Sequence, residues 1–114
     1  MHAEPTTFGL ILGLFKDQLD RDHVRLLDAR KNIAIGKLSG AVGTYAHLEP
    51  EHERFVLDRL GLQPEPAASQ VVQRDRHAQL FTCLALLAST VERIAVEIRH
   101  LQRTEVGEAE EPFR

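Results

Sequence analysis

The chain has 114 residues, with 14 Lys and Arg against 17 Asp and Glu, a formal charge of −3, 43% hydrophobic residues and 5% aromatic ones. That length suits one domain or a slice of one, and the interspersed charge lacks the basic face of a nucleic-acid binder. A lone Cys83 excludes an internal disulfide, and apolar runs of a few residues are too short to cross a membrane.

No cationic stretch precedes the first apolar residues, so no secretory leader is expected and a cytoplasmic location follows by default. With no Trp and a single Tyr45, aliphatic side chains must make the core. Cys83 sits among apolar residues and reads as an inert buried thiol.

Pro5-Thr6-Thr7 reads as a helix entrance, with Thr6 or Thr7 as N-cap. Phe8, Leu12, Phe15, Leu19 and Leu26 then recur at helical spacing, and Ile11, Leu14 and Leu27 widen the stripe. The first helix is expected from about 7 to about 31. Gly9 and Gly13 lower its propensity by roughly 1 kcal/mol each, and glycines four apart admit a close neighbour.

From Ile33 to Val42 the pattern changes. Ile33 and Ile35 are β-branched, and Gly36, Gly40 and Gly43 punctuate the stretch, so a short extended excursion or hairpin is expected near 33–43. The run Gly36-Lys37-Leu38-Ser39-Gly40-Ala41-Val42-Gly43-Thr44 could instead offer backbone amides to an anion. It lacks the phosphate-loop and dinucleotide spacings, and the turn reading is preferred.

A short helix is expected over 51–60, with Pro50 in its first turn, Gly61 at C′, and Phe55, Val56 and Leu60 facing inward. Residues 62–69, with Pro64 and Pro66, form an extended connector. The last helix, from about 74 to about 103, has the clearest pattern. Leu80, Leu84, Leu87, Val91, Ile94, Ile98 and Leu101 follow alternating spacings of four and three, a heptad seam. Cys83, Ala88 and Ala95 form a small-residue edge beside it. Glu105, Glu108, Glu110 and Glu111 make a solvated acidic tail around Gly107. The fold class is therefore all-α, a long-helix bundle in which so long a rod needs partners to cover its stripe.

Candidate chemistry concentrates where the proline-stiffened connector meets the last helix. Gln70, Gln73, Arg74, Arg76 and His77 gather there, and a helix N-terminus favours anions through its free N–H groups and partial positive charge. Arginines and amide donors at that point suit carboxylate or phosphate recognition. The competing reading is capping and surface ion pairing. For His77 a structural hydrogen bond competes with titration near neutrality. The six histidines show no metal-ligand spacing, with His47 and His52 five apart, so no metal or other cofactor is expected.

Four motifs carry a family resemblance: His2-Ala3-Glu4-Pro5-Thr6-Thr7-Phe8-Gly9, Gly36 to Thr44, Gln70 to Ala78, and Glu97 to Glu105. In this order and spacing they resemble the central region of the adenylosuccinate lyases, within the fumarase/aspartase superfamily. The resemblance covers essentially the whole chain. It implies an all-α central domain, so that residues 1–114 are a bundle fragment without the flanking domains. It also implies a homo-oligomer in which four subunits pool long helices and share active sites. The implied reaction is release of fumarate from adenylosuccinate, and from the related succinyl-carboxamide intermediate of purine synthesis, by metal-free β-elimination. A base removes the proton beside a carboxylate and an acid protonates the leaving nitrogen.

By the same resemblance Gln70 contacts substrate. Arg74, Arg76 and His77 are candidate supports of that corner, and Ser39 and Thr44 lie in a family motif without an assigned contact. The family's catalytic histidine precedes the residue matching Met1, and its serine base follows the segment Glu111-Pro112-Phe113. His2 matches a second histidine of the upstream region, not the catalytic one. No catalytic residue is therefore expected in these 114 residues, which alone should be inactive. The alternatives are a non-catalytic helical assembly module, or another superfamily lyase of the argininosuccinate lyase or carboxymuconate cycloisomerase type. The Gln70-to-Ala78 run argues against both of those lyases.

Overall fold

The computed structural model describes residues 3–112; His2 and Phe113, named in the motifs above, lie outside the described residues. The elements in order are α1 (Phe8–Ile33), β1 (Ile35–Gly36), α2 (Pro50–Leu60), β2 (Gln63–Pro64) and α3 (Asp75–Leu101). The fold is all-α apart from the two-residue strands, as the periodicity implies. The chain divides into two compact units, one ending at Arg25 and resuming at Cys83, the other Leu26–Thr82, and both long helices contribute to each.

In the first unit α1 begins where the sequence indicates. Thr7 is the cap, its hydroxyl oxygen accepting the Leu10 N–H at 3.2 Å. Residues 8–25 of α1 lie antiparallel to residues 83–101 of α3, with Gln18 meeting Thr90 and Arg93, and Asp22 meeting Thr90. The facing stripe is only partly the one expected. On α1 it runs through Ile11, Phe15, Gln18 and Asp22, while Phe8, Leu12 and Leu19 are exposed. On α3 it runs through Cys83, Leu87, Thr90, Ile94, Glu97 and Leu101, whereas Leu84, Val91 and Ile98 of the expected seam are exposed.

Physical chemistry explains the difference. Cys83 is small and lets the helices approach, its thiol 3.8 Å from the Arg25 carbonyl. The polar residues at the centre satisfy one another. Arg93 donates to Gln18 Oε1 at 2.7 Å, Gln18 Nε2 donates to Thr90 Oγ1 at 2.8 Å, and Thr90 donates to Asp22 Oδ2 at 2.6 Å. Arg25 reaches the other Asp22 oxygen at 2.8 Å. Partnered in this way, Thr90 and Asp22 are buried without the penalty of orphaned polar atoms.

In the second unit β1 pairs with β2 in parallel, Ile35 opposite Gln63 and Gly36 opposite Pro64. The extended excursion is present, but its partner is the connector, not a hairpin arm. Gln63 N–H donates to the Ala34 carbonyl and Glu65 N–H to the Gly36 carbonyl, both at 2.9 Å. Pro64 sits on an edge strand, where its missing N–H costs nothing.

Helix α2 has Pro50 at its start, and Gly61 is left-handed at φ 69°. Gly61 N–H bonds to the Asp58 carbonyl and Leu62 N–H to the Leu57 carbonyl, the double closure of a Schellman end. Its buried residues are Glu53 and Leu57, correcting the expected face of Phe55, Val56 and Leu60, of which Phe55 and Leu60 are largely exposed. Leu57 covers the strand at Gly36, where an added Cβ would lie 2.3 Å from a Leu57 methyl. Glu53, 1% exposed, turns inward because its carboxylate accepts the Leu38 N–H at 2.5 Å and the Tyr45 hydroxyl.

Candidate functional site

The second unit holds a cleft of about 320 Å³ between the first strand and the start of α3. Ile33 and Ile35 supply apolar lining, and the polar lining comes from Lys37, Gln70, Arg74, Arg76 and His77. The sequence-derived candidates Gln70, Arg74, Arg76 and His77 thus converge. Gln70 and Val71 lie in a bend before the helix, so the Gln70 amide is exposed at the rim and outside any apolar packing.

The four do different things. Arg76 is a support: its guanidinium grips Glu65 through two nitrogens at 3.0 and 3.2 Å and donates to the Asn32 carbonyl at 3.0 Å. It ties the connector to the end of α1 and to α3, a bidentate geometry that lysine cannot reproduce. Asn32 Nδ2 also donates to Gln79 at 3.1 Å, and Gln79 to Asp28 at 3.1 Å, fixing the first turn of α3 against α1 within this unit. Arg74 is exposed, and its guanidinium stands 3.5 Å from His77 Nε2. His77 is half-buried, and its Nδ1 is buried with no partner.

Ser39 and Thr44 do not line the cleft. Ser39 is buried and its carbonyl accepts the Tyr45 N–H at 2.9 Å, so it acts as a turn residue. Thr44 is exposed on the same loop. At Gly43, φ is +80° and an added Cβ would lie 1.7 Å from the Ala68 carbonyl oxygen, so the loop closes directly on the connector. Tyr45, a non-glycine at φ 55°, is held in place by Glu53, and that hydrogen bond raises the Tyr45 hydroxyl above its ordinary pKa.

Sequence reasoning missed three contributors: Lys37, which the glycine run presents to the cleft, and Glu65 and Glu53, whose partners are far enough away in the chain that no local spacing reveals them.

In the first unit another cleft, of about 430 Å³, is lined by Thr6, Thr7, Glu97, His100, Arg103 and Glu108 among others. His100 Nδ1 stands 3.4 Å from the Arg103 guanidinium, the same i, i+3 pairing as Arg74 and His77. Past α3, Glu108 and Ala109 N–H groups return to the Leu101 carbonyl at 3.0 and 3.2 Å, while Glu105, Glu108, Glu110 and Glu111 stay exposed as the tail reading requires. Among the described residues no group of three or more His, Cys, Asp or Glu is placed to hold a metal ion, and no helix is long and apolar enough to cross a membrane.

Long antiparallel helices with a polar cleft where a connector enters the last of them define the class, and the family described as Lyase matches residues 1–114: the chain belongs to that lyase family. It is similar to the adenylosuccinate lyase of Aquifex aeolicus, at 58% identity over 99% of this chain and 26% of that protein. It is also similar to the adenylosuccinate lyases of Thermotoga maritima, at 56% over 100% of the chain, and Bacillus subtilis, at 50% over 99%; each match again covers 26% of the relative. The chain thus spans about a quarter of the length of the curated relatives it matches.

Proposed function

We propose that these residues are the central helical region of an adenylosuccinate lyase, a cytoplasmic enzyme that releases fumarate from adenylosuccinate and from the related succinyl-carboxamide intermediate of purine synthesis. The observation that carries this reading is the identity of 49–58% to adenylosuccinate lyases along almost the entire chain. The cleft supports it, because Gln70 presents a neutral amide beside Lys37 and Arg74 where a dicarboxylate needs donors.

In such an elimination the proton beside a carboxylate is removed, and the carboxylate gathers the developing negative charge. Donors already in place stabilise that charge without reorganising. Gln70 is the substrate-binding residue of this region, and Arg74, Arg76 and His77 hold its corner. The proton-transfer groups belong, by family resemblance, to segments outside residues 1–114. The exposed stripe Leu84, Val91 and Ile98 on α3 supports assembly of copies into a shared helical bundle, the homo-oligomer of this reading.

The test is Gln70→Ala in the full-length lyase that carries these residues, with fumarate release followed spectroscopically. Losing a hydrogen bond to a charged group costs roughly 1.5–3 kcal/mol, so kcat/KM should fall by about 10- to 150-fold with the melting temperature unchanged. Normal kinetics with a lowered melting temperature would make Gln70 structural and remove it from the site.

A further inference from the structure

We propose that Glu65, which lies outside the cleft lining, is a positioning residue: by closing the connector onto Arg76 it fixes where the Gln70 amide stands. This role rests on reading Gln70 as the substrate-binding residue and adds the means by which its place is set.

Gln70 stands in a stretch with little structure of its own. Backbone hydrogen bonds end at Glu65, whose N–H meets the Gly36 carbonyl, and resume where the Ala78 N–H meets the Arg74 carbonyl. Among the described residues no backbone–backbone hydrogen bond involves residues 66–73. Such a segment keeps its course only if its ends and flanks are held from outside.

The ends are held by one ion pair. Glu65 and Arg76 are 11 positions apart, and Gln70 is near the middle of the loop they close. Both carboxylate oxygens are engaged, one by Arg76 Nε at 3.0 Å and the other by a terminal nitrogen at 3.2 Å. The remaining guanidinium nitrogen donates to the Asn32 carbonyl at 3.0 Å. A bidentate pair fixes angle as well as distance. The Glu65 side chain is 7% exposed and that of Arg76 26%, so salt screens the pair little.

The flank is held at Gly43. The Ala68 carbonyl oxygen fills the space of any side chain there, 1.7 Å from an added Cβ. Ala68 is three residues past Glu65 and two before Gln70, so the loop is clasped at its base and propped at its side. Without the clasp the prop stands alone, and the crown of the loop gains freedom. Misplacing an orienting group by about 1 Å can cost about 100-fold in rate.

The experiment uses the full-length lyase that carries these residues. Glu65→Ala should lower kcat/KM for fumarate release by about 10- to 100-fold. Glu65→Gln keeps the reach and one acceptor oxygen and should lower it less. Both are then repeated in the Gln70→Ala background. There each should change kcat/KM by less than about twofold, because a residue already removed cannot be misplaced. A pair that only stabilises the fold would give the same fold-change in both backgrounds. A nitroxide on Ser69→Cys, beside Gln70, should show a sharper, more mobile line shape in both Glu65 variants. If Glu65→Ala fails to fold, Glu65→Gln carries both measurements. Equal fold-changes in the two backgrounds, or an unchanged line shape, would overturn the positioning role. Normal kcat/KM in Gln70→Ala beside a mobilised nitroxide would sink the substrate reading of Gln70 alone. A defective Gln70→Ala beside an unchanged nitroxide would sink the positioning role alone.

Discussion

Glu53→Ala should unfasten the loop that follows β1. The Glu53 carboxylate is 1% exposed and serves two donors, the backbone N–H of Leu38 and the hydroxyl of Tyr45. Removing it leaves the Leu38 N–H in a partly buried place with no acceptor. That costs about 1–3 kcal/mol. The Tyr45 hydroxyl can turn to water, so the cost falls on the Leu38 N–H, before any effect of the cavity. Glu53→Gln keeps one acceptor oxygen and should recover more than half of it. Urea denaturation of the three proteins gives the stabilities, and amide hydrogen exchange at Leu38 reads the bond directly. The protected Leu38 amide should become fast-exchanging in the Ala variant and stay slow in the Gln variant. If Glu53→Ala unfolds within about 0.5 kcal/mol of the parent, the usual range of a neutral surface change, with Leu38 still protected, then Glu53 is not the clasp of this loop.

Thr90→Val keeps the shape of the side chain but removes the hydroxyl that joins Gln18 to Asp22, and should cost about 1–3 kcal/mol by chemical denaturation; an unchanged midpoint would show the network to be incidental. Leu84→Asp and Ile98→Asp, on the exposed stripe of α3, should abolish self-association in light scattering while leaving helical content intact, and an unaltered mass would refute the bundle reading. The Tyr45 pKa is raised on folding, chiefly by its hydrogen bond to Glu53. The stability this contributes is complete below the unfolded phenol value of about 10 and is lost as pH rises through the higher folded value. Tyr45→Phe should therefore flatten the alkaline limb of stability against pH, and an identical limb in both proteins would refute the linkage.

The ends of the helices were legible because they depend on local chemistry. Thr7 caps α1, Pro50 opens α2, and Gly61 closes it, each recognisable within one turn of sequence. The lengths of α1 and α3 followed from periodicity in the same way. The buried faces followed only in part, because α1 and α3 carry aliphatic residues on more than one side. Periodicity weights Leu84, Val91 and Ile98 over Cys83 and Thr90, yet the smaller pair makes the close contact. Asp22 and Glu53 look like surface residues until their partners are known, and Asp22 finds Thr90 68 positions away. The β1–β2 pairing was hidden for the same reason, since two residues on each side carry no pattern of their own. At the cleft, Gln70, Arg74 and His77 were legible as neighbours on one junction. The diversion of Arg76 to Glu65 was not, and neither was the withdrawal of Ser39 and Thr44, because both depend on how the loop and connector close on each other at Gly43.

The chain of donors from Arg93 through Gln18 and Thr90 to Asp22 also limits how the first unit can move. Apolar contacts are non-directional and can be remade after a shift at the cost of repacking. A carboxylate and a hydroxyl embedded among them cannot slide. Displacing α3 along α1 by one turn, about 5.4 Å, would set Asp22 against a hydrocarbon neighbour and leave the Thr90 hydroxyl without its acceptor. The network therefore works as a detent. Helix shear, a common way for bundles to relay a distant signal, would cost this pair the hydrogen bonds that join Gln18, Thr90 and Asp22.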